Sequence, residues 1–322
     1  MFPDNSFIDE IISLKDHIEE VYFSWGDFPN GRNLQTQQPF PPWVAMEKMI
    51  YDIGLISKSG LKLNLLFNGN CYGGASLSRS FYNKIGETID YIKENFNLDS
   101  VTTTSPIIAK FIKNNFEKLS VRASVNMEIG TVQGMDYVSE YFDGYYMKRE
   151  FNRNFAKIKE LKEWCRNNGK TLHILGNSGC LNNCSVHNFH DNLVAHESEI
   201  AKMDNCYEFS GICHEKRISL VRDTGFIRPE DIKFYEPYFD SVKLATRVSD
   251  KPILILKSYI DQNYSGNILE LLEPNHAGRI YPYVLDNKKL KNDYLTCGHE
   301  CAACGKCREN FENALINLET IM

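Results

Sequence analysis

The residues best suited to chemistry are the cysteines. The chain has ten, and eight of them fall between Cys180 and Cys307. The densest run is CGHECAACGKC, residues 297–307, in which Cys297, Cys301, Cys304 and Cys307 are separated by three, two and two residues. Four thiolates this close, with Gly298 and Gly305 loosening the turns between them, can wrap one metal ion or cluster. The inner C-x2-C-x2-C spacing matches the tight run that lets successive thiolates reach neighbouring corners of a four-iron cube. A structural zinc site more often draws on two well-separated pairs. The first expectation is therefore a 4Fe-4S cluster and the second is zinc.

A second group lies in NSGCLNNCSVHNFH, residues 177–190, followed by Cys206 and Cys213. Cys180 and Cys184 are the central pair, Cys213 is the candidate third thiolate, and Cys206 or Cys71 the fourth. This gives one or two clusters in all. His187 and His190 stand at i, i+3, which places them on one face of a helix. Together with Cys180 and Cys184 they offer an alternative zinc set. Cys71 and Cys165 read instead as small buried apolar residues.

Elements that alternate in type must position these groups. The runs 20–25, 61–67, 100–105, 119–125, 144–149, 171–176 and 241–246 are apolar or β-branched, as buried parallel strands are. Helical patterns over 82–96, 105–116 and 155–170 lie between them. Strand-then-helix alternation implies a parallel sheet, and an eight-fold barrel takes about 250 residues. The fold class expected is α/β, a parallel TIM-type (β/α) barrel over residues 1–290, with a cysteine-rich metal-binding tail over 291–322. The eighth strand is either 279–285 or missing, which leaves the barrel incomplete. A doubly wound sheet is the runner-up, but no glycine-rich phosphate loop follows the first strand.

Barrel active sites form at the C-terminal ends of the strands. The residues at those ends are polar: Asn68, Thr104, Asn126, Glu128, Lys148, Arg149, Asn177, Lys243 and Arg247. Glu128 or His187 could act as acid or base. Arg149 and Arg247 could grip a substrate carboxylate or phosphate in a bidentate fork. Asn177, at the end of the sixth strand, is a candidate cofactor contact.

Composition narrows the class. Apolar residues make up 43% and charged residues 24%, with a formal net charge of −6. This balance argues against nucleic acid as the main partner. No apolar run approaches the roughly 18–20 residues that span a bilayer, and the start of the chain lacks a secretory pattern. The expectation is a cytoplasmic protein, where thiols stay reduced and clustered cysteines serve metals. Neither HExxH nor G-x-S-x-G is present, so the motifs of a peptidase are missing.

Four stretches resemble the collagenase-like peptidase family: RASVNMEI (122–129), YMKREFNRN (146–154), ILGNSGCLNNC (174–184) and RPEDIKFYEPYFDSVKLATR (228–247). That family includes proteins of anaerobic ubiquinone hydroxylation and of tRNA and rRNA hydroxylation. The resemblance, over about residues 60–265, implies a barrel holding a four-iron cluster on cysteines that follow the sixth strand. It also implies oxygen-independent hydroxylation as one activity. The spacing of Cys180 and Cys184 is tighter than the usual family form, and the four-cysteine tail is not a general family feature. Three functions stay open at this point. One is a redox enzyme acting on a small organic molecule or cofactor precursor. Another is a non-catalytic iron–sulfur subunit that senses or delivers electrons to a partner protein. The third is a zinc hydrolase or lyase.

Overall fold

The computed structural model describes residues 6–31, 41–196, 217–292, 295, 297 and 300–320. Seven strands form one parallel sheet: β1 Glu20–Ser24, β2 Lys62–Phe67, β3 Leu98–Thr103, β4 Ser120–Ala123, β5 Gly144–Tyr146, β6 Thr171–Leu175 and β7 Ser241–Lys243. Their order in the sheet is their order in the chain. A doubly wound sheet reverses its order at a switch point. This sheet does not, so the fold is that of a parallel β/α barrel, left incomplete.

The helices are α1 Ser6–Ser13, α2 Pro42–Lys58, α3 Arg79–Asn95, α4 Pro106–Asn115, α5 Val132–Asp136, α6 Phe155–Asn167, α7 His187–Ala195, α8 Ser219–Arg222, α9 Pro252–Ile260 and α10 Lys306–Ala314. Their starts are written in the sequence. Ser78, Ser105 and Asn154 each accept a hydrogen bond from the backbone N–H three residues on, at 3.2, 3.3 and 3.0 Å. This satisfies donors that a helix leaves open at its first turn. Ile85, Ile89 and Ile92 of α3 are fully buried, one stripe at the spacing that faces a helix toward a core.

The eighth barrel strand expected near 279–285 forms differently. Ala277–Arg279 is a 3-10 turn, and only β8, Tyr283–Leu285, is extended. It pairs antiparallel with β9, Leu315–Asn317, in a separate two-stranded sheet. β7 also stops earlier than its apolar run suggests. Past Lys243, the Asn177 carboxamide takes over the ladder's role: it accepts from Ala245 N–H and donates to Ala245 C=O, both at 2.7 Å.

The chain divides into two compact units. The first holds the described residues up to Met127, Met135–Tyr145, and the described part of Asn188–Met203. Its sheet carries a buried polar ladder. Glu20 on β1 accepts hydrogen bonds from Asn64 on β2 at 2.9 Å and from Ser100 on β3 at 3.1 Å, and it pairs with Arg122 on β4. Thr102 extends the chain by donating to Asn64 at 3.0 Å. Burial alone would raise the Glu20 carboxyl. The Arg122 charge and the three donors outweigh it and hold the carboxyl below its ordinary value of 4.5.

A carboxylate held low stabilises the fold above its unfolded value, and that contribution is lost as pH falls through the folded one. Glu20→Gln leaves Arg122 buried without its charge partner and is expected to cost about 3 kcal/mol. Denaturant unfolding at neutral pH measures this. The variant is also expected to lose less stability than the parent on acidification below about pH 4.5. An equal acid dependence in the two proteins would count against the ladder as its source.

Candidate functional site

The site is built on the segment that leaves β5, in the second unit, which holds Glu128–Gly134, Tyr146–His187 and the described residues from Arg217 on. After Tyr146 the backbone makes one more sheet bond, Met147 N–H to His173 C=O at 2.9 Å, and then coils through a 3-10 turn, Arg149–Phe151. Four neighbours fix that turn. Asn152, fully buried, donates to Leu175 C=O at 2.8 Å and Gly225 C=O at 2.7 Å. Arg153 donates to Val221 C=O at 2.5 Å and Phe226 C=O at 3.0 Å, with its guanidinium 4.8 Å from the Phe226 ring centroid. Gly225 must be glycine here, because a Cβ would stand 2.4 Å from Arg149 C=O.

A second strand of chain runs beside this turn. Lys148 N–H donates to Ile129 C=O at 3.1 Å, and Gly130 lies so close to Phe151 that a Cβ would fall 2.3 Å from the ring. The residue before this contact, Glu128, has φ +53°. A left-handed backbone at a non-glycine residue is uncommon and persists where surrounding contacts impose it. It delivers the Glu128 carboxylate to the turn. Its Oε2 lies 3.6 Å from Lys148 Nζ and its Oε1 lies 3.4 Å from His187 Nδ1.

Glu128, Glu150 and His187 thus converge, each offering a donor atom within 4.8 Å of the others. Among the described residues this is the group of histidine, cysteine and acidic side chains drawn close enough to share an ion. Glu150 and His187 are each 7% exposed. Glu150 Oε2 is buried with no hydrogen-bond partner, as are Asn152 Oδ1, Ser178 Oγ and Asn182 Oδ1 in the same unit. Buried polar atoms are nearly always paired, so a bare carboxylate oxygen beside a second carboxylate points to a ligand rather than to packing.

The loop after β6 carries Cys180 and Cys184, both half-buried. It is pinned at both ends. Gly179 N–H donates to Glu273 C=O at 2.9 Å, and a Cβ at Gly179 would meet Pro274 C=O at 2.6 Å. Leu181 bridges Thr224, Asn182 N–H donates to Asp223 C=O at 2.6 Å, and Asn183 takes φ +55°. Cys184 C=O accepts from His187 N–H at 3.1 Å, setting the first turn of α7. Of the two histidines at i, i+3, only His187 enters the carboxylate group.

The tail presents its thiols differently. Cys297 and Cys307 are half-buried, while Cys301 and Cys304 are exposed. Burial pushes the Cys307 thiol up, Arg153 draws it down, and the charges of Cys297, Cys301 and Cys304 push it up again. Arg222, held mainly by its pair with Asp223 at 2.6 Å, is raised further by Cys301 and Cys307. The four thiols therefore share a neighbourhood with two guanidinium groups. Among the described residues the four sulfurs are not drawn as close together as Glu128, Glu150 and His187 are, but thiol donors of this kind suit a thiophilic group.

Other expected site residues fall as follows. Arg149 is buried and Arg247 half-buried, both in the second unit. Asn177 is fully buried, and its NH2 donates to Ala245 and Leu271 carbonyls at 2.7 and 2.9 Å, clamping β7 and a 3-10 turn. Cys206 and Cys213 lie outside the described residues. Cys165 is fully buried in α6, where loss of water pushes its thiol up to about 12, an inert core residue. Cys71 is half-buried and accepts from Gly73 N–H at 3.4 Å. Glu150 was not among the expected residues.

His276 supports the cysteine loop from below. It is 2% exposed and donates from Nε2 to Gly179 C=O at 2.7 Å, which fixes its tautomer. Burial, partly offset by the Gly179 carbonyl and aided by Arg279, lowers its pKa to about 4. A histidine kept neutral by the fold costs stability as it charges in the unfolded chain. That loss begins as pH falls through about 6.5 and is complete near 4. His276→Gln is expected to flatten the stability profile across this window, measured by thermal unfolding. It is also expected to loosen the Cys180 loop, read as faster amide exchange at Gly179 and Cys180.

No family model matches the chain. Over 317 residues, 94% of this chain and 90% of the other, it is 26% identical to the uncharacterized protease MJ1657 of Methanocaldococcus jannaschii. Among solved structures, the U32 peptidase Mk0906 superposes with a TM-score of 0.52 at 18% identity, covering 70% of this chain and 83% of that one. The second likeness is one of fold.

Proposed function

We propose that this chain is an iron–sulfur redox enzyme of the collagenase-like, U32 peptidase family, acting on a small organic molecule or cofactor precursor. Its relatives carry peptidase names, but the chain has neither HExxH nor G-x-S-x-G. What carries the reading is that both cysteine groups lie against one short stretch, Ser219–Thr224: the Cys180 loop bonds to its end, and α10, which carries Cys307, packs against α8. Leu181 and Asn182 bind it at Thr224 and Asp223, and Arg222 beside them feels the charges of Cys301 and Cys307. Two thiolate sites tied to one scaffold suit the passage of electrons from one to the other.

Cys180 and Cys184, completed by Cys213 and Cys206, would hold one 4Fe-4S cluster. Cys297, Cys301, Cys304 and Cys307 would hold a second. Bound there, such clusters supply one-electron chemistry at potentials set by nearby charge and exposure. The protein's own part is electrostatic and positional. Arg153 and Arg222 place fixed positive charge beside the tail thiolates, which favours the more reduced, more negative state. Arg149 and Arg247 are the cations suited to a substrate carboxylate or phosphate. Oxygen-independent hydroxylation is the activity that the family resemblance implies.

The deciding measurement is iron, sulfide and zinc per chain after oxygen-free purification. About eight irons is expected for two clusters, and about four for one. Cys301→Ser with Cys304→Ser is expected to remove about half of the iron and leave the rest on the Cys180 loop. Colourless protein with stoichiometric zinc and no sulfide would refute the proposal.

A further inference from the structure

We infer that Glu128, Glu150 and His187 form a separate site for a divalent cation of mixed oxygen and nitrogen preference, such as Mn2+, Fe2+ or Co2+. The inference does not rest on the iron–sulfur reading, because no cysteine takes part. It also replaces the expectation that Glu128 or His187 acts as a free acid or base.

Three observations carry it. The donor atoms of the three side chains lie within 4.8 Å of one another, a spacing one ion can bridge after small rotamer shifts. Glu150 is 7% exposed and its Oε2 has no hydrogen-bond partner. A buried carboxylate oxygen left bare is costly, and a cation between the two carboxylates removes the cost. The two acidic residues are also brought together by force: Glu128 at φ +53° and Gly130 against Phe151 hold them in place. Like charges pressed together in a half-dry site call for a counter-charge. Lys148 supplies a partial one, its Nζ 3.6 Å from Glu128 Oε2, but the group faces Glu128 and leaves Glu150 Oε2 unmet.

The donor set selects the ion. Imidazole favours the later first-row metals, and carboxylates favour the harder ones. One imidazole with two carboxylates falls between, and three protein donors leave coordination positions open for water or an oxygen-bearing substrate. Thiolates favour soft metals, so the tail and the Cys180 loop compete poorly for Mn2+. Mn2+ is therefore the probe that reads this site alone.

The experiment titrates metal-stripped, full-length protein with Mn2+ and follows loss of the free ion's paramagnetic resonance signal. One tight ion per chain is expected. Glu150→Gln should weaken it roughly 100-fold, and Glu128→Gln comparably. Lys148→Met, which removes the competing ammonium, should tighten it several-fold. Cys301→Ser with Cys304→Ser should leave it unchanged. Mn2+ should also raise the unfolding temperature of the parent and not that of Glu150→Gln, provided circular dichroism finds both folded. Absence of a Mn2+ site in the folded parent would overturn the inference. So would equal affinity in parent and Glu150→Gln, or loss of the ion only in the cysteine variant.

Discussion

The second unit depends on one carboxamide. Asn152 reaches from the turn after β5 to Leu175 at the end of β6 and to Gly225 beyond α8. Two donors from one fully buried side chain tie three stretches of backbone that would otherwise each need their own partner. Such a bond is modest in net worth while intact, but its loss strands two buried carbonyls. The rest of the site follows from this tie. Gly225 can approach Arg149 only because it has no side chain. Arg153 is then drawn to Val221 and Phe226, and Glu150, between these anchors, has nowhere to turn but inward.

The two units differ in how they treat their buried carboxylates. In the first, Glu20 is surrounded by Asn64, Ser100 and Arg122, and every strand from β1 to β4 contributes a group. A network satisfied that fully specifies register and rigidifies the sheet. In the second, Glu150, Asn152, Ser178 and Asn182 each keep a buried polar atom without a partner. The same chain that completes one network leaves another incomplete. An unmet Glu150 oxygen beside a strained Glu128 is the pattern expected where structure has been subordinated to binding.

The strands were legible because parallel strands buried on both faces read as apolar runs, and β2, β3 and β6 fall within a few residues of those runs. Strand ends were less so. β7 stops where the Asn177 side chain replaces the backbone ladder, a long-range substitution that no local pattern encodes. The stretch 279–285 has the composition of a strand, and part of it is one. Its partner, β9, lies beyond the cysteine tail, and pairing of that range is invisible to periodicity. Glu128 and His187 were visible as polar residues at a strand end and a helix start. Glu150 was hidden within KREF, where an acid after two basic residues reads as part of a solvated turn. Its only signal was position, directly after a strand whose end should face the site.

Hardness separates the two kinds of donor in this chain. The thiols lie in the loop after β6 and in the tail, where Cys301 and Cys304 are exposed. The carboxylates and the imidazole lie within the fold, where Glu150 and His187 are nearly dry. Soft ligands near the surface suit a group that exchanges electrons with a partner. Carboxylates and an imidazole in a nearly dry setting suit an ion that stays put while it orients oxygen atoms. Cys184 and His187 are joined by one turn of backbone, Cys184 C=O accepting from His187 N–H. If the cysteine loop holds metal as proposed, a displacement of it would reach His187 along three residues of backbone. The two donor sets need not touch to be coupled, since the start of α7 belongs to both.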